Sequence, residues 1–153
     1  WGRCSLRPGS TATEEERRAY FKPMWRWSKA VQNDFAARAD WCVKSYEEAN
    51  HAPVVMLAHA ADLQSQGGNV LKLSAEGTQD PDGNNLTYFW WQYVEAGTYN
   101  GNVEIKDSQK MNALVSVPDD ALPGETIHII CEVTDDGKPQ LTRYQRVVIK
   151  IVE

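Results

Sequence analysis

Few side chains in this sequence are of the types that carry out chemistry. Three histidines, His51, His59 and His128, and three cysteines, Cys4, Cys42 and Cys131, are scattered over 153 residues. Nucleophilic catalysis needs a Ser or Cys held beside a base that a third group orients, and no GxSxG elbow or comparable turn supplies one. His128 alternates with Ile127 and Ile129, which predicts a solvated ring on the outward face of a strand, and His51 and His59 flank a first strand without a nameable partner. The cysteines lack CxxC spacing, so neither a zinc site nor a disulfide-stapled small domain is indicated. Buried thiols are expected, with a Cys4–Cys42 bridge as the other arrangement. Neither the P-loop nor the dinucleotide-binding glycine pattern occurs, which excludes nucleotide binding of those kinds.

Two other groupings have more to offer. Asp80 and Asp82 in DPDG, and Asp135 and Asp136 in DDG, are hard oxygen donors in turn-forming contexts. Between them runs LTYFWWQY, residues 86–93. In a strand Leu86, Tyr88 and Trp90 point one way while Phe89, Trp91 and Tyr93 point the other. Only one set can be core. The buried tryptophan expected on the third strand of a sandwich selects Tyr88 and Trp90, which leaves Phe89, Trp91 and Tyr93 as an outer row, extended by Tyr99. Such a row exceeds what a monomer usually leaves bare, so it should dock on an element of the same chain or stack on sugar rings.

The elements that hold these groups change character near Asn50. Before it the pattern is helical. Thr13 and Glu16 form a capping box, Glu14, Glu15 and Glu16 suit the positive end of the dipole, and Pro23 is expected to open a second helix. From there Trp27, Val31, Phe35, Cys42 and Tyr46 recur at helical steps with Ala39 between them, and Asp34 and Arg38 form an i,i+4 pair off that stripe. This predicts one long amphipathic helix ending near Asn50, with Trp25 and Trp41 beside a stripe that must find a partner surface, on the sandwich or on another copy of the chain. After Asn50 the period falls to two. HAPVVML, NVLKLSAEG, NLTYFWWQYVE, NVEIKD, ALVSVP, TIHIICEVTDDG and TRYQRVVIKIVE are short, rich in Val, Ile and aromatics, and bounded by Gly, Pro, Asn and Asp, as antiparallel strands are.

The fold class expected is therefore mainly β: an immunoglobulin-like antiparallel β-sandwich over residues 50–153, preceded by a helical segment over 1–49. Leu71, Leu73 and Ala75, then Ile127, Ile129, Cys131 and Val133, then Val147, Ile149 and Ile151 are its core faces. In such a sandwich the second-to-third and sixth-to-seventh connections share one end with the start of the first strand, which brings Asp80 and Asp82 towards Asp135, Asp136 and Asn50. Four converging carboxylates repel unless a cation lies between them, and calcium suits such ligands. Alternatively both are plain turns, with Asp and Gly serving local hydrogen bonds and positive φ.

Composition narrows the partners. At 42% hydrophobic and 24% charged the chain can bury one ordinary core, and its net charge of -5 with pI ≈ 5.2 offers no basic footprint for nucleic acid. No apolar run approaches the length of a membrane span. The start at Trp1, with loop-like GRCSLRPGS, reads as a piece of a longer protein whose targeting signal lies upstream.

NHAPVV, DPDGNNLTYFWWQYVEAGTYNG and VPDDALPGETIHIICEVTDDGKPQLTRYQRVVI together resemble the C-terminal sandwich of bacterial nucleoside-hydrolase-like, cellulose-binding proteins. WGRCSLRPGS and WRWSKAVQNDFAARADWCVKSYEEANHAP look like the end of the hydrolase-like domain that precedes it. The resemblance implies a secreted, periplasmic or cell-surface protein acting on polysaccharide or glycosidic material, and makes residues 1–49 the remainder of the hydrolase-like domain. It also offers Arg3, Asn33 and Asp34 as residues lining the parent's pocket, although Asp34 is equally explained by its pair with Arg38. Nucleoside hydrolases use an early aspartate cluster to hold calcium and activate water, and no DxDxxxDD occurs here, so this fragment cannot carry that chemistry unaided. Two functions follow: a non-catalytic module that braces the upstream hydrolase-like domain or grips polysaccharide, or an enzyme fragment whose helical segment completes a site supplied from upstream.

Overall fold

The computed structural model describes residue 11 and residues 13–153. Arg3 and Cys4, and with Cys4 the proposed bridge, lie outside the described residues.

The N-terminal segment is helical. Helix α1 spans Glu14–Trp25, opened by the expected capping box: Thr13 accepts from the Glu16 amide at 3.2 Å, and Glu16 accepts from the Thr13 amide at 2.7 Å. Pro23 lies in its last turn and does not open the next helix. A proline cannot donate to the carbonyl four residues back, and the helix gives way just after it. Arg26 and Trp27 keep right-handed helical angles, and α2 follows over Ser28–Trp41. The long helix expected to reach Asn50 thus ends nine residues early, with a short 3-10 turn at Tyr46–Glu48 closing the segment.

The remainder is an immunoglobulin-like sandwich. Seven strands are found among the described residues: β1 Asp62–Ser65, β2 Val70–Ser74, β3 Leu86–Gln92, β4 Glu104–Lys106, β5 Asn112–Ser116, β6 Thr126–Asp135 and β7 Thr142–Ile151. One sheet has the order β1-β7-β6-β3 and the other β2-β5-β4. Six of the strands fall in the expected runs, but HAPVVML makes only a single bridge, Val54 to Gln79, and the first strand is DLQS. That strand runs parallel to β7, Asp62 opposite Val148, so the sandwich is antiparallel everywhere except at this edge.

The core is the one the alternation indicates. Leu73, Ala75, Ile127, Ile129, Cys131, Val133, Val147, Ile149 and Ile151 are all buried, with Leu71 partly so. Trp90 is 1% exposed and its indole Nε1 donates to the Lys110 carbonyl at 2.9 Å, so the ring is fixed at its polar end as well as packed. The exposed Cys42 departs from the buried thiol expected: its Sγ donates to the Arg38 carbonyl at 3.3 Å, whereas burial holds the Cys131 thiol up at about 12. His128 also departs. It is half-buried rather than solvated, its Nδ1 is buried without a hydrogen-bond partner, and burial lowers its pKa.

Candidate functional site

The helical segment lies on the outer face of the β1-β7-β6-β3 sheet, and the aromatic row is where it sits. Trp27 packs on Trp91 at 5.6 Å, Tyr93 at 6.0 Å and Tyr144 at 4.6 Å between ring centroids. The Arg26 guanidinium lies 4.8 Å from the Trp91 ring centre and 5.1 Å from that of Tyr93, and pairs with Glu95 at 2.8 Å. A planar cation stacked on two rings and forked onto a carboxylate fills the gap that a helix of ordinary side chains would leave over a flat sheet. That arginine holds the Glu95 carboxyl below its usual range. Beneath the helix the Trp91 indole donates to Glu132 at 3.2 Å, and burial pushes the Glu132 carboxyl up. Tyr144, beside it across the strand pair, is pushed up to about 12 by burial.

Of the outer row, Trp91 and Tyr93 are therefore covered by Trp27 and Arg26, while Phe89 remains exposed. Tyr99 does not extend the row. It is 7% exposed within the sandwich core, and its hydroxyl donates to Asp120 at 2.8 Å. The turn that follows β3 carries Tyr99 around the end of the sheet, which strand alternation alone does not foretell.

The face by which the helical segment docks keeps only Trp27 of the apolar stripe. Trp27, Ala30, Asn33 and Ala37 turn towards the sheet; Asn33 donates to the Gln140 carbonyl at 2.8 Å, and Ala37 is fully buried. Asp34 accepts from Arg38 at 2.8 Å, the expected i,i+4 pair, and from Arg143 of β7 at 3.0 Å. The Arg38 bond, foremost, holds the Asp34 carboxyl below its usual range. Val31, Phe35, Ala39, Cys42 and Tyr46, assigned to the buried stripe, are exposed, as are Met24 and Trp25. Alanine and asparagine allow the helix to lie close over the large rings of the sheet, and the bulky residues are left on the outside.

The acidic turns do meet, together with Asn50, at one end of the sandwich. There hydrogen-bond donors engage each carboxylate, although Asp80 Oδ2 is buried without a partner among the described residues. Asp135, 2% exposed, accepts from Asn50 at 3.1 Å, Gly137 at 3.0 Å and Leu141 at 2.9 Å, while burial raises its pKa. Asp136 accepts from the Asn85 backbone and side chain at 2.9 and 2.8 Å. Asp80 accepts from the amides of Asp82 and Asn84, both at 3.0 Å. Asp82 accepts from the His51 amide and pairs with its ring Nδ1 at 3.0 Å, and that ring is stacked between Tyr46 and Trp41. No group of three or more His, Cys, Asp or Glu is placed to hold a metal ion among the described residues. The arrangement ties the end of the helical segment to two loops of the sandwich.

Sequence reasoning singled out Asn33 and Asp34 as candidates for the parent's pocket, and Trp91 and Tyr93 as part of a docking or ligand row, but did not single out Arg26, Glu95, Glu132, Arg143 and Tyr144, which surround them. The available signals were the position of Arg26 inside WRW and the alternation of Thr142, Tyr144 and Arg146 with the core residues of β7.

An immunoglobulin-like sandwich with a helical segment fastened to one outer face is thus the class of domain that fold and site define. The chain belongs to the family of the C-terminal domain of the cellulose-binding protein Sde0182, whose model matches residues 70–151. A nucleoside hydrolase-related hypothetical protein from Saccharophagus degradans, described as associated with carbohydrate metabolism, superposes with a TM-score of 0.79 at 41% identity over 82% of this chain. The chain spans 32% of that protein's length. The PKD domain from the KIAA 1837 protein gives a TM-score of 0.41 at 16% identity over 60% of this chain and 80% of its own, a likeness too distant to carry any argument. No curated protein matches the chain.

Proposed function

We propose that this chain is a non-catalytic C-terminal module that braces a neighbouring nucleoside-hydrolase-like domain of the same polypeptide. The observation that carries this reading is the lopsidedness of the helical segment. It is fastened to the sandwich along one edge, while Met24, Trp25, Val31 and Phe35 stand 70%, 68%, 63% and 74% exposed along the other. Large apolar side chains left bare in this number mark an interface in a soluble protein. The matched family model describes a C-terminal domain, and the related structure extends well beyond the part this chain covers, so a domain of the same polypeptide is the natural occupant. Asn33 and Asp34 are engaged by Gln140 and Arg143 of the sandwich, which favours bracing over the reading in which they line the neighbour's pocket. In that setting the protein is secreted or at the cell surface, as polysaccharide-directed proteins are.

The test is association between this chain and the neighbouring domain supplied as a separate polypeptide. Phe35→Asp should abolish it while shifting this chain's own stability by no more than ~0.5 kcal/mol, as for other surface changes. Undiminished association of the variant overturns the proposal.

Contact with polysaccharide is a second reading, favoured by the family's cellulose-binding description and by the exposed rings of Trp25, Phe35 and Phe89. The covered Trp91 and Tyr93 are not available to it. Retention on insoluble cellulose, reduced by Phe89→Ala or Trp25→Ala in variants that melt like the parent, is its expected outcome; no retention by the chain or by the longer protein rejects it.

A further inference from the structure

A cleft of about 530 Å³ runs between α2 and β7, lined by Trp27, Val31, Asp34, Arg38, Arg143 and Tyr144 among others and within the ~300–1,000 Å³ range of ligand sites. Its walls are of two kinds. Trp27 and Tyr144 meet edge to face, 4.6 Å between centroids at 89°, and form an aromatic corner. Opposite them Asp34 holds two guanidinium groups, Arg38 at 2.8 Å and Arg143 at 3.0 Å.

Fastening the helix to the sheet requires only one of those arginines. Arg143 reaches across from β7 and performs that task; Arg38 lies on the same helix as Asp34 and joins no second element. Asp34 binds Arg38 through Nε alone, so its two Nη groups are left over, and the side chain is steadied by the Trp41 ring 5.8 Å away. Among the residues lining the cleft, two cations stand against one carboxylate, on a chain whose net charge is -5. Forked donors held in place beforehand, with charge to spare, suit a carboxylate oxygen pair. A flat aromatic corner beside them suits the C–H face of a ring that is otherwise hydroxylated.

We infer that this cleft binds a carboxylate-bearing sugar unit of an acidic polysaccharide, its ring against Trp27 and Tyr144 and its carboxylate on Arg38 and Arg143. The site adjoins the Phe35 face used for bracing, sharing Val31 with it, and does not include the exposed Trp25 and Phe89 rings available to neutral cellulose.

The experiment is a nuclear magnetic resonance titration of the whole chain with trigalacturonate and, in parallel, with cellotriose, following the Trp27 indole and the arginine Nε signals. Trigalacturonate should move the signals of Trp27, Arg38 and Arg143, and added salt should weaken its binding. Arg38→Met should reduce affinity roughly tenfold or more. Arg38→Lys, which keeps the charge and loses the fork, should also bind more weakly while melting like the parent. The inference is overturned by the absence of shifts at millimolar trigalacturonate, by cellotriose binding the cleft equally well, or by both Arg38 variants binding like the parent. Retention on insoluble cellulose that ignores the Arg38 variants leaves the polysaccharide reading standing, so the two failures are told apart.

Discussion

Asn50 stands between three parts of the chain and bonds to each. Its Nδ2 donates to Asp135 at 3.1 Å and to the Pro139 carbonyl at 2.9 Å, its Oδ1 accepts from Asn84 at 2.8 Å, and its backbone carbonyl accepts from the Trp41 indole at 2.8 Å. A Cβ on Gly137 would collide with the Asn50 side chain, so the DDG glycine serves the close approach of the two loops. Asn50→Ala leaves the buried Asp135 short of a donor and should destabilise the chain by ~2 kcal/mol, read from denaturant midpoints. Trp91→Ala removes a ring packed under Trp27 and Arg26 and the donor to Glu132, and should cost about 3 kcal/mol. A smaller loss, with cellulose retention abolished instead, would transfer that ring to the glycan. At this scale much was legible. The Thr13–Glu16 box and the Asp34–Arg38 pair follow from spacing, because each depends on residues a few positions apart, and the inward Trp90 follows from alternation once a sandwich is expected. The partners Arg26 finds at Trp91 and Glu95 do not, since some seventy residues of chain separate them.

The helical segment tests what periodicity can and cannot reveal about an element. Its existence and its cap are as expected, but the docking face keeps only Trp27 of the apolar stripe, because close packing over large rings selects Ala30, Asn33 and Ala37 while Val31 and Phe35 face outward. β1 escaped notice for a related reason: DLQS is not strand-like by composition and is ordered by pairing with β7. The docking also carries a pH signature. The Glu95 carboxyl is held below its usual range by Arg26, and that of Asp34 by Arg38 of its own helix and, across the docking contact, by Arg143; the stability they contribute is present above the ordinary carboxylate pKa, ~4, and is lost as pH falls through their lowered folded-state values. Glu132, pushed up by burial, acts oppositely: its ionised form opposes docking, and that cost disappears as it is protonated. Tryptophan fluorescence followed from pH 5 downwards should report the segment loosening from Trp91 before the sandwich melts. A signal that changes only with global unfolding would count against a separately titrating contact.

For the molecule as a whole, the sandwich supplies its own core, from Leu73 to Ile151, and the helical segment contributes nothing to that core beyond a cover for one outer face. Residues 50–153 should therefore fold without the segment, and, with Trp91, Tyr93 and Tyr144 uncovered, should self-associate more than the whole chain does. A cooperative melt and sedimentation together would check both expectations. The change from helix to strand after Asn50 was legible because the period of the sequence changes there. The bare outer face was not, since Val31 and Phe35 share a helical stripe with the docked Trp27 and read as core until the stripe's position on the sandwich is known. What covers that face is the central claim, and hydroxyl-radical footprinting of Trp25 and Phe35 addresses it most directly. Both rings should be heavily oxidised in this chain alone and several-fold protected when it is joined to its neighbouring domain, whereas equal labelling in the two states would contradict the bracing role.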